Sequence, residues 1–188
     1  MDSRIPANSP ADEVIGEVLI AEEALQTRVR EMGAEIATDY AEKDPLLVCI
    51  LRGGVMFLTD LMRAMPIPHT LDFMAVASYG IGARKSSGQV RIVLDLNTDI
   101  AGRHVLLVED IVDTGHTLSH VLALLETRGP ASLKVCTLLD KYERREVAVP
   151  LDYVGFRIPD RFVVGYGLDV DEYWRNLPYI GVARPGVG

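Results

Sequence analysis

Two hydrophobic periods alternate along the chain. From Glu22 onward Leu25, Val29, Met32 and Ile36 recur at helical spacing, and EKDP closes that helix before LLVCIL, an unbroken apolar run of strand length. After Gly53 and Gly54, the residues Leu58, Leu61, Met62 and Met65 repeat helically until MPIP stops the run. LDFMAVASY reads as a strand, GIGARKSSG as a polar loop, VRIVLDL as a further strand and HVLLVE as a buried central one. Leu118, Val121, Leu122 and Leu125 form one face of the next helix; LKVCTLLD is another buried strand, and LDYVGFRI opens an irregular C-terminal part. Residues 1–13, rich in Pro, Ser, Asn and Asp, read as a frayed tail. Strands alternating with helices predict an α/β fold, a mostly parallel sheet flanked by helices.

Composition narrows the possible functions. With 188 residues, 48% hydrophobic and 24% charged, the expectation is one domain with a sizeable core. A net charge of −8 offers no basic face for nucleic acid. No apolar run approaches the roughly 18 residues of a membrane span, and MDSRIPANSPADEV lacks a signal-peptide core, so a cytoplasmic protein with no membrane partner is expected. Cys49 and Cys136 sit inside apolar runs without CxxC spacing, which predicts buried free thiols. His69, His104 and His120 show no ligand spacing and are read as structural.

The chemistry concentrates in VLLVEDIVDTGHTL, residues 105–118. Three carboxylates, Glu109, Asp110 and Asp113, fall at the end of a strand that reads as buried, where an unpartnered charge is costly. In open parallel sheets ligands bind beyond the carboxyl ends of the strands. Asp-Thr-Gly-His-Thr then leads into a helix, whose free N–H groups and positive dipole end suit a phosphate, with Thr114 and Thr117 as hydroxyl donors and Gly115 permitting close approach. The P-loop pattern is absent, and GIGARKSSG lacks the third glycine of GxGxxG. Carboxylates one sugar away from a phosphate loop accept hydrogen bonds from ribose hydroxyls, so a sugar phosphate meets both demands. Taken without the loop, the three acids are equally well read as a solvated acidic turn.

The same run resembles the phosphoribosyl-diphosphate signature of the type I phosphoribosyltransferases, two acids after a hydrophobic strand and then D-[ST]-G-x-T. LRGGVMFLTDL, VASYGIGARKSSG, LLDK and VGFRIPDRFVVGYGLDVDEYWRNLPYIG are similar to the pyrophosphate loop, mobile lid, base-contacting strand and hood of the hypoxanthine-guanine branch, over about Val18 to Gly181. The resemblance implies one phosphoribosyltransferase domain over 1–188, with a small C-terminal and N-terminal hood to which 152–188 contribute. It implies a magnesium-dependent transfer from phosphoribosyl diphosphate to a 6-oxopurine, and a homodimer or homotetramer.

Residue by residue, the resemblance implies that Glu109 and Asp110 hold the ribose hydroxyls and the water shell of Mg2+. Thr114, Gly115, His116 and Thr117 would enclose the 5-phosphate, largely through backbone N–H groups. Asp113 would be the general base beside purine N7. Lys141 would donate to O6, Phe162 stack on the ring, and Val163 contact the exocyclic group through its backbone. Asp169, beside the purine, would bind a second Mg2+. Leu51, Arg52, Gly53 and Gly54 would form the pyrophosphate loop, with a cis peptide at Leu51-Arg52, and Arg175 would contact the diphosphate. Ser78 and Tyr79 would reach the donor from a lid spanning Ser78 to Gly88. Relatives often carry Lys where this chain has Arg52, which keeps the charge but changes its geometry. Two other readings accompany this one: a nucleotide-sensing regulator on the same fold, which would want a basic face or an added domain, and a xanthine-preferring enzyme.

Overall fold

The computed structural model describes residues 10–78 and 90–186. In chain order the elements are α1 (Ala11–Val14), β1 (Ile15–Ile20), α2 (Glu22–Asp39), β2 (Leu46–Leu51), α3 (Val55–Ala64), β3 (Thr70–Ser78) and β4 (Val90–Leu94). They continue with β5 (His104–Val112), α4 (His116–Glu126), β6 (Ser132–Asp140), β7 (Tyr153–Arg157), β8 (Val163–Val164) and β9 (Ile180–Ala183). Six strands form the main sheet in the order β4-β3-β2-β5-β6-β7, all parallel except β4, which runs antiparallel to β3. A smaller sheet, β1-β9-β8, joins the two ends of the chain.

Side-chain alternation explains why the central strands are apolar throughout. In β2, Leu47 and Cys49 face one way, and in β5 Leu106 and Val108 do the same; they pack with Leu25, Val29, Met32 and Ile36 of α2 and Phe57, Leu58 and Leu61 of α3. Leu46, Val48 and Ile50 of β2 and Val105 and Leu107 of β5 face the opposite side, where Leu118, Val121, Leu122 and Leu125 of α4 cover them. Helices on both faces leave no polar side for these strands. Cys49 and Cys136 are buried free thiols, and burial pushes the Cys49 thiol up to about 12.

Three parts depart from the sequence pattern. Residues 11–13, expected in the tail, belong to the short α1, whose last residue Val14 is buried, and β1 follows at once. The β1–β9 pairing carries two register shifts, which disrupt the two-residue period by which a strand is recognised. LDYVGFRI, expected to open an irregular hood, instead supplies β7, the edge strand paired in parallel with β6. Residues 158–186, which follow β7, are termed the hood.

Strand order places the site. The chain moves outward from β2 to β3 on one side and from β5 to β6 on the other, so β2 and β5 flank the point where the order reverses, and a crevice is expected at their carboxyl ends. Pairing between them ends at Cys49 opposite Val108. Beyond that pair, Glu109 and Asp110 continue along β5 while β2 turns away into Arg52 and Gly53.

The helices beneath this crevice are in very close contact: a Cβ on Gly33 of α2 would lie 2.6 Å from the Cβ of Ala64 and 2.7 Å from its carbonyl oxygen. A larger side chain must push α2 off α3. Gly33→Val should therefore cost about 1 to 3 kcal/mol, measured as a fall of several degrees in Tm; an unchanged Tm would contradict this packing.

Candidate active site

Glu109 and Asp110 are built into the end of β5, the first buried and the second partly so. Glu109 is 9% exposed, and its Oε2 is buried with no hydrogen-bond partner among the described residues. Burial, followed by the neighbouring Asp110 charge, pushes its carboxyl well above the usual range. Asp110 is pushed up to about 6, again chiefly by burial, against the pull of the Ile111 N–H that its Oδ1 accepts at 2.9 Å. The fields of Arg175 and Asp169 also reach Asp110, so the hood and β5 converge here.

The turn after β2 presses against the same carboxylate. A Cβ on Gly53 would lie 1.6 Å from Asp110 Oδ2, a space only glycine leaves open. On its other side the Gly53 carbonyl oxygen would meet a Cβ on Gly167 at 2.0 Å, which puts the hood backbone directly against the turn. The Leu51-Arg52 peptide is cis. Arg52 extends outward to Glu172, Nη1 to Oε2 at 2.5 Å. Glu172 Oε2 also takes Arg175 Nη2 at 3.0 Å, and Arg175, first, then Arg52 hold the Glu172 carboxyl below its ordinary value. Arg175 further donates to the Gly167 carbonyl at 2.8 Å and meets Asp169 Oδ1 at 2.9 Å, while Asp169 Oδ2 accepts the Glu172 N–H at 2.8 Å.

On the far side of β5, Asp113 to Thr117 turn into α4. Gly115 sits at φ +91°, a left-handed conformation that glycine adopts without a Cβ penalty, and its carbonyl accepts the Ser119 N–H at 2.9 Å. No side chain caps the helix, so first-turn N–H groups remain available to a ligand. A cleft with about 380 Å³ of open space is lined here by Glu109, Asp113, Thr114, Gly115 and Thr117. His116 begins α4 with its imidazole turned to Glu146, Nε2 to Oε2 at 2.8 Å.

The third wall comes from β6 and the hood. Lys141 is buried at the end of β6, its N–H donating to the Val112 carbonyl at 3.0 Å, so it sits beside the residue preceding Asp113. Its Nζ lies 3.6 Å from Asp160 Oδ1. Phe162 is half exposed, whereas the Val163 side chain is buried in β8. Asp113 Oδ1 is 3.0 Å from Arg144 Nε.

Most residues expected from the sequence thus gather around the end of β5: Arg52, Gly53, Glu109, Asp110, Asp113 to Thr117, Lys141, Asp169 and Arg175. Ser78 ends β3, and Tyr79 with the rest of the lid lies outside the described residues. Sequence reasoning missed Arg144, Asp160 and Glu172. Their only signal is position, in YERREV directly after Lys141, in IPDR directly before Phe162, and in VDEYW between Asp169 and Arg175. The assembled surface offers N–H and hydroxyl donors to a phosphate, buried carboxylates to sugar hydroxyls or a hard cation, and guanidinium groups to a second anion.

A family model for the phosphoribosyl transferase domain matches residues 18–171. The hypoxanthine-guanine phosphoribosyltransferase of Mycobacterium avium is 50% identical over 196 residues, covering 100% of this chain and 96% of the relative. A bifunctional TilS/HprT protein of Listeria innocua is 47% identical over 183 residues, covering 97% of this chain, which spans only 28% of that longer relative. Among solved structures, a hypoxanthine phosphoribosyltransferase from Staphylococcus aureus superposes with a TM-score of 0.90 at 44% identity, covering 96% of this chain and 97% of the other.

The buried Glu109 carboxylate has a direct stability consequence. Its folded-state pKa is raised, so the cost of carrying it is absent below the ordinary carboxylate range and grows as pH climbs toward the raised value. Glu109→Gln removes that charge while keeping the shape. The ligand-free variant should be more stable than wild type at pH 8 by about 1 to 3 kcal/mol, and the gain should shrink toward pH 5. Thermal unfolding across that range checks it, and a pH-independent difference would contradict the burial argument.

Proposed function

The chain belongs to the phosphoribosyl transferase family, and on that basis we propose that it moves the 5-phosphoribosyl group of phosphoribosyl diphosphate onto N9 of hypoxanthine or guanine. The products are IMP or GMP and diphosphate, a purine-salvage reaction in the cytoplasm. The observation that carries this reading is the junction of three segments at the end of β5, where Gly53, Asp110 and Gly167 meet between a phosphate-type loop and the buried Lys141.

In this reading the Thr114 to Thr117 turn takes the 5-phosphate, and Glu109 and Asp110 accept the ribose hydroxyls, giving the orphaned Glu109 Oε2 a partner. As diphosphate leaves C1, negative charge builds on its oxygens, and Arg175 and Arg52 exchange Glu172 for it. Lys141 leaves Asp160 to donate to O6 of the base. Asp113 accepts the N7 proton as N9 attacks C1, so the proton lost by the purine ends on a carboxylate. Phe162 supports the ring, and the Val163 backbone lies beside the exocyclic position.

The donor set suits Mg2+, which takes hard oxygen ligands and is commonly held by one or two carboxylates plus substrate phosphates, so it needs no all-protein cage. That accords with the described residues, where no cluster of three or more His, Cys, Asp or Glu is arranged to hold a metal. Glu109 and Asp110 would serve one ion, and Asp169 a second once Arg175 turns to the diphosphate. When bound, the metal would supply Lewis-acid stabilisation of the leaving group. No described helix is long and apolar enough to cross a membrane. A homodimer or homotetramer belongs to the same reading, supported by the exposed Leu71 at the edge of an apolar groove that includes Val55, Leu58, Met62 and Phe73.

Two outcomes are expected of purified protein. Exhaustive chelation should abolish nucleotide formation, and Mg2+ should restore it, because the acidic site and a highly anionic donor otherwise repel; activity that survives chelation would remove the metal from the reading. With hypoxanthine, guanine, xanthine and adenine compared side by side, hypoxanthine should exceed adenine in kcat/KM by about 10- to 150-fold, the worth of one hydrogen bond from a charged donor. Lys141→Met should erase most of that preference. Equal use of adenine by the wild type would overturn the assignment of Lys141.

A further inference from the structure

We infer that Arg144 is a positioning residue for Asp113, held in that role by Asp160. The inference rests on the reading of Asp113 as the proton acceptor and of Lys141 as the O6 donor. Four side chains form one line of alternating charge. Lys141 Nζ lies 3.6 Å from Asp160 Oδ1, Arg144 Nη1 reaches the same oxygen at 3.5 Å, and Arg144 Nε lies 3.0 Å from Asp113 Oδ1. One guanidinium thus joins the group that would read the base to the group that would take its proton.

Main-chain hydrogen bonds fix the segments that carry these groups. The Arg144 N–H donates to the Lys141 carbonyl at 3.0 Å, and the Lys141 N–H donates to the Val112 carbonyl at 3.0 Å, one residue before Asp113. The Ile158 N–H donates to the Asp140 carbonyl at 3.0 Å, which anchors the segment leading to Asp160 beside Lys141. Asp113 itself stands in the turn after β5 with its side chain 41% exposed, but its Oδ1 is buried, with Arg144 Nε 3.0 Å away. Without that guanidinium a carboxylate in a turn would be free to rotate, which a proton acceptor cannot use, since the proton must be met at hydrogen-bond distance. Arg144 restrains Oδ1 and leaves Oδ2 for the proton.

Asp160 supplies the other half. When Lys141 turns to O6, Asp160 would be left with an unmatched charge beside the base, but Arg144 remains on the same oxygen. Lys141 is therefore released without stranding its former partner, and Arg144 stays held against Asp113 while it happens. The two Arg144 pairs are half exposed and as stabilising contacts contribute little. Their effect is expected in the rate of the chemical step.

The test is a double-mutant cycle on single-turnover rates with hypoxanthine and saturating donor, using Arg144→Met and Asp113→Asn singly and together, with Arg144→Lys as the conservative variant. Arg144→Met should slow the chemical step by on the order of 10-fold and leave the donor's KM unchanged, and Arg144→Lys should recover part of the rate. In the Asp113→Asn background Arg144→Met should change the rate by less than about 2-fold, because its partner is already gone. Equal loss in both backgrounds would overturn the inference and make Arg144 a general structural residue. Should Arg144→Met fail to fold, Asp160→Asn carries the same test: the rate falls in the wild-type background only, and an equal fall in both overturns it. Failure of the underlying reading has a separate signature, full activity in the Asp113→Asn single variant.

Discussion

Two carboxylates are held where water cannot reach them fully, and much of the architecture serves to put them there. Glu109 and Asp110 fall on the one stretch of β5 that β2 no longer accompanies, since pairing between these strands stops at Val108. The strand order makes that separation unavoidable: β2 and β5 feed helices on opposite faces, so their carboxyl ends must part. The gap is then filled by backbone rather than side chains. Gly53 lies against Asp110, and Gly167 lies against Gly53, so the crevice is narrow at its root and lined there by polar main chain. An apolar filling would have left the acids without any prospect of a partner.

The hood acquires its shape from conformations that the sequence does not advertise. Tyr166, Asp171, Glu172 and Trp174 all have positive φ, and so do Gly165 and Gly167. Main-chain bonds fold the segment on itself, with the Tyr166 N–H to Leu177 O at 2.8 Å and the Gly167 N–H to Arg175 O at 2.9 Å. Non-glycine residues held in that region are uncommon and concentrate where surrounding contacts determine them. Here they deliver Asp169, Glu172 and Arg175 to one small surface facing the β2 turn.

How much of this was legible in the chain depends on the element. The central strands and α2, α3 and α4 were readable because burial on both faces, or on one helical stripe, writes itself into apolar spacing. β1 was not, since only its ends are buried and bulges break its pairing; β7 was not, because an edge strand reading YVGFR carries few fully buried side chains. The site was legible where chemistry and position coincide, in Glu109 to Thr117. It was illegible where a residue acts only through the turn that aims it. Arg144 stands in a run of four consecutive charges, Glu143 to Glu146, which by sequence is a solvated surface, and main-chain hydrogen bonds between that segment and the β5 turn bring it to Asp113.

That run has another consequence. The segment from Lys141 to Val147 is stitched to the β5 turn at both ends, by the Lys141 N–H on Val112 and by the Glu146 and Val147 N–H groups on Thr114 O at 2.9 and 3.1 Å. Its far end covers the phosphate turn so closely that a Cβ on Gly115 would lie 2.5 Å from Val147 O. The groups proposed to hold the base and the phosphate thus lie at opposite ends of one tether. A nucleotide grips both, a free base only one, so on the proposed reaction the product benefits from avidity that the incoming base lacks: with its phosphate seated, its base is held at a high effective concentration beside Lys141. On that reading the nucleotide is expected to leave more slowly than a free base does.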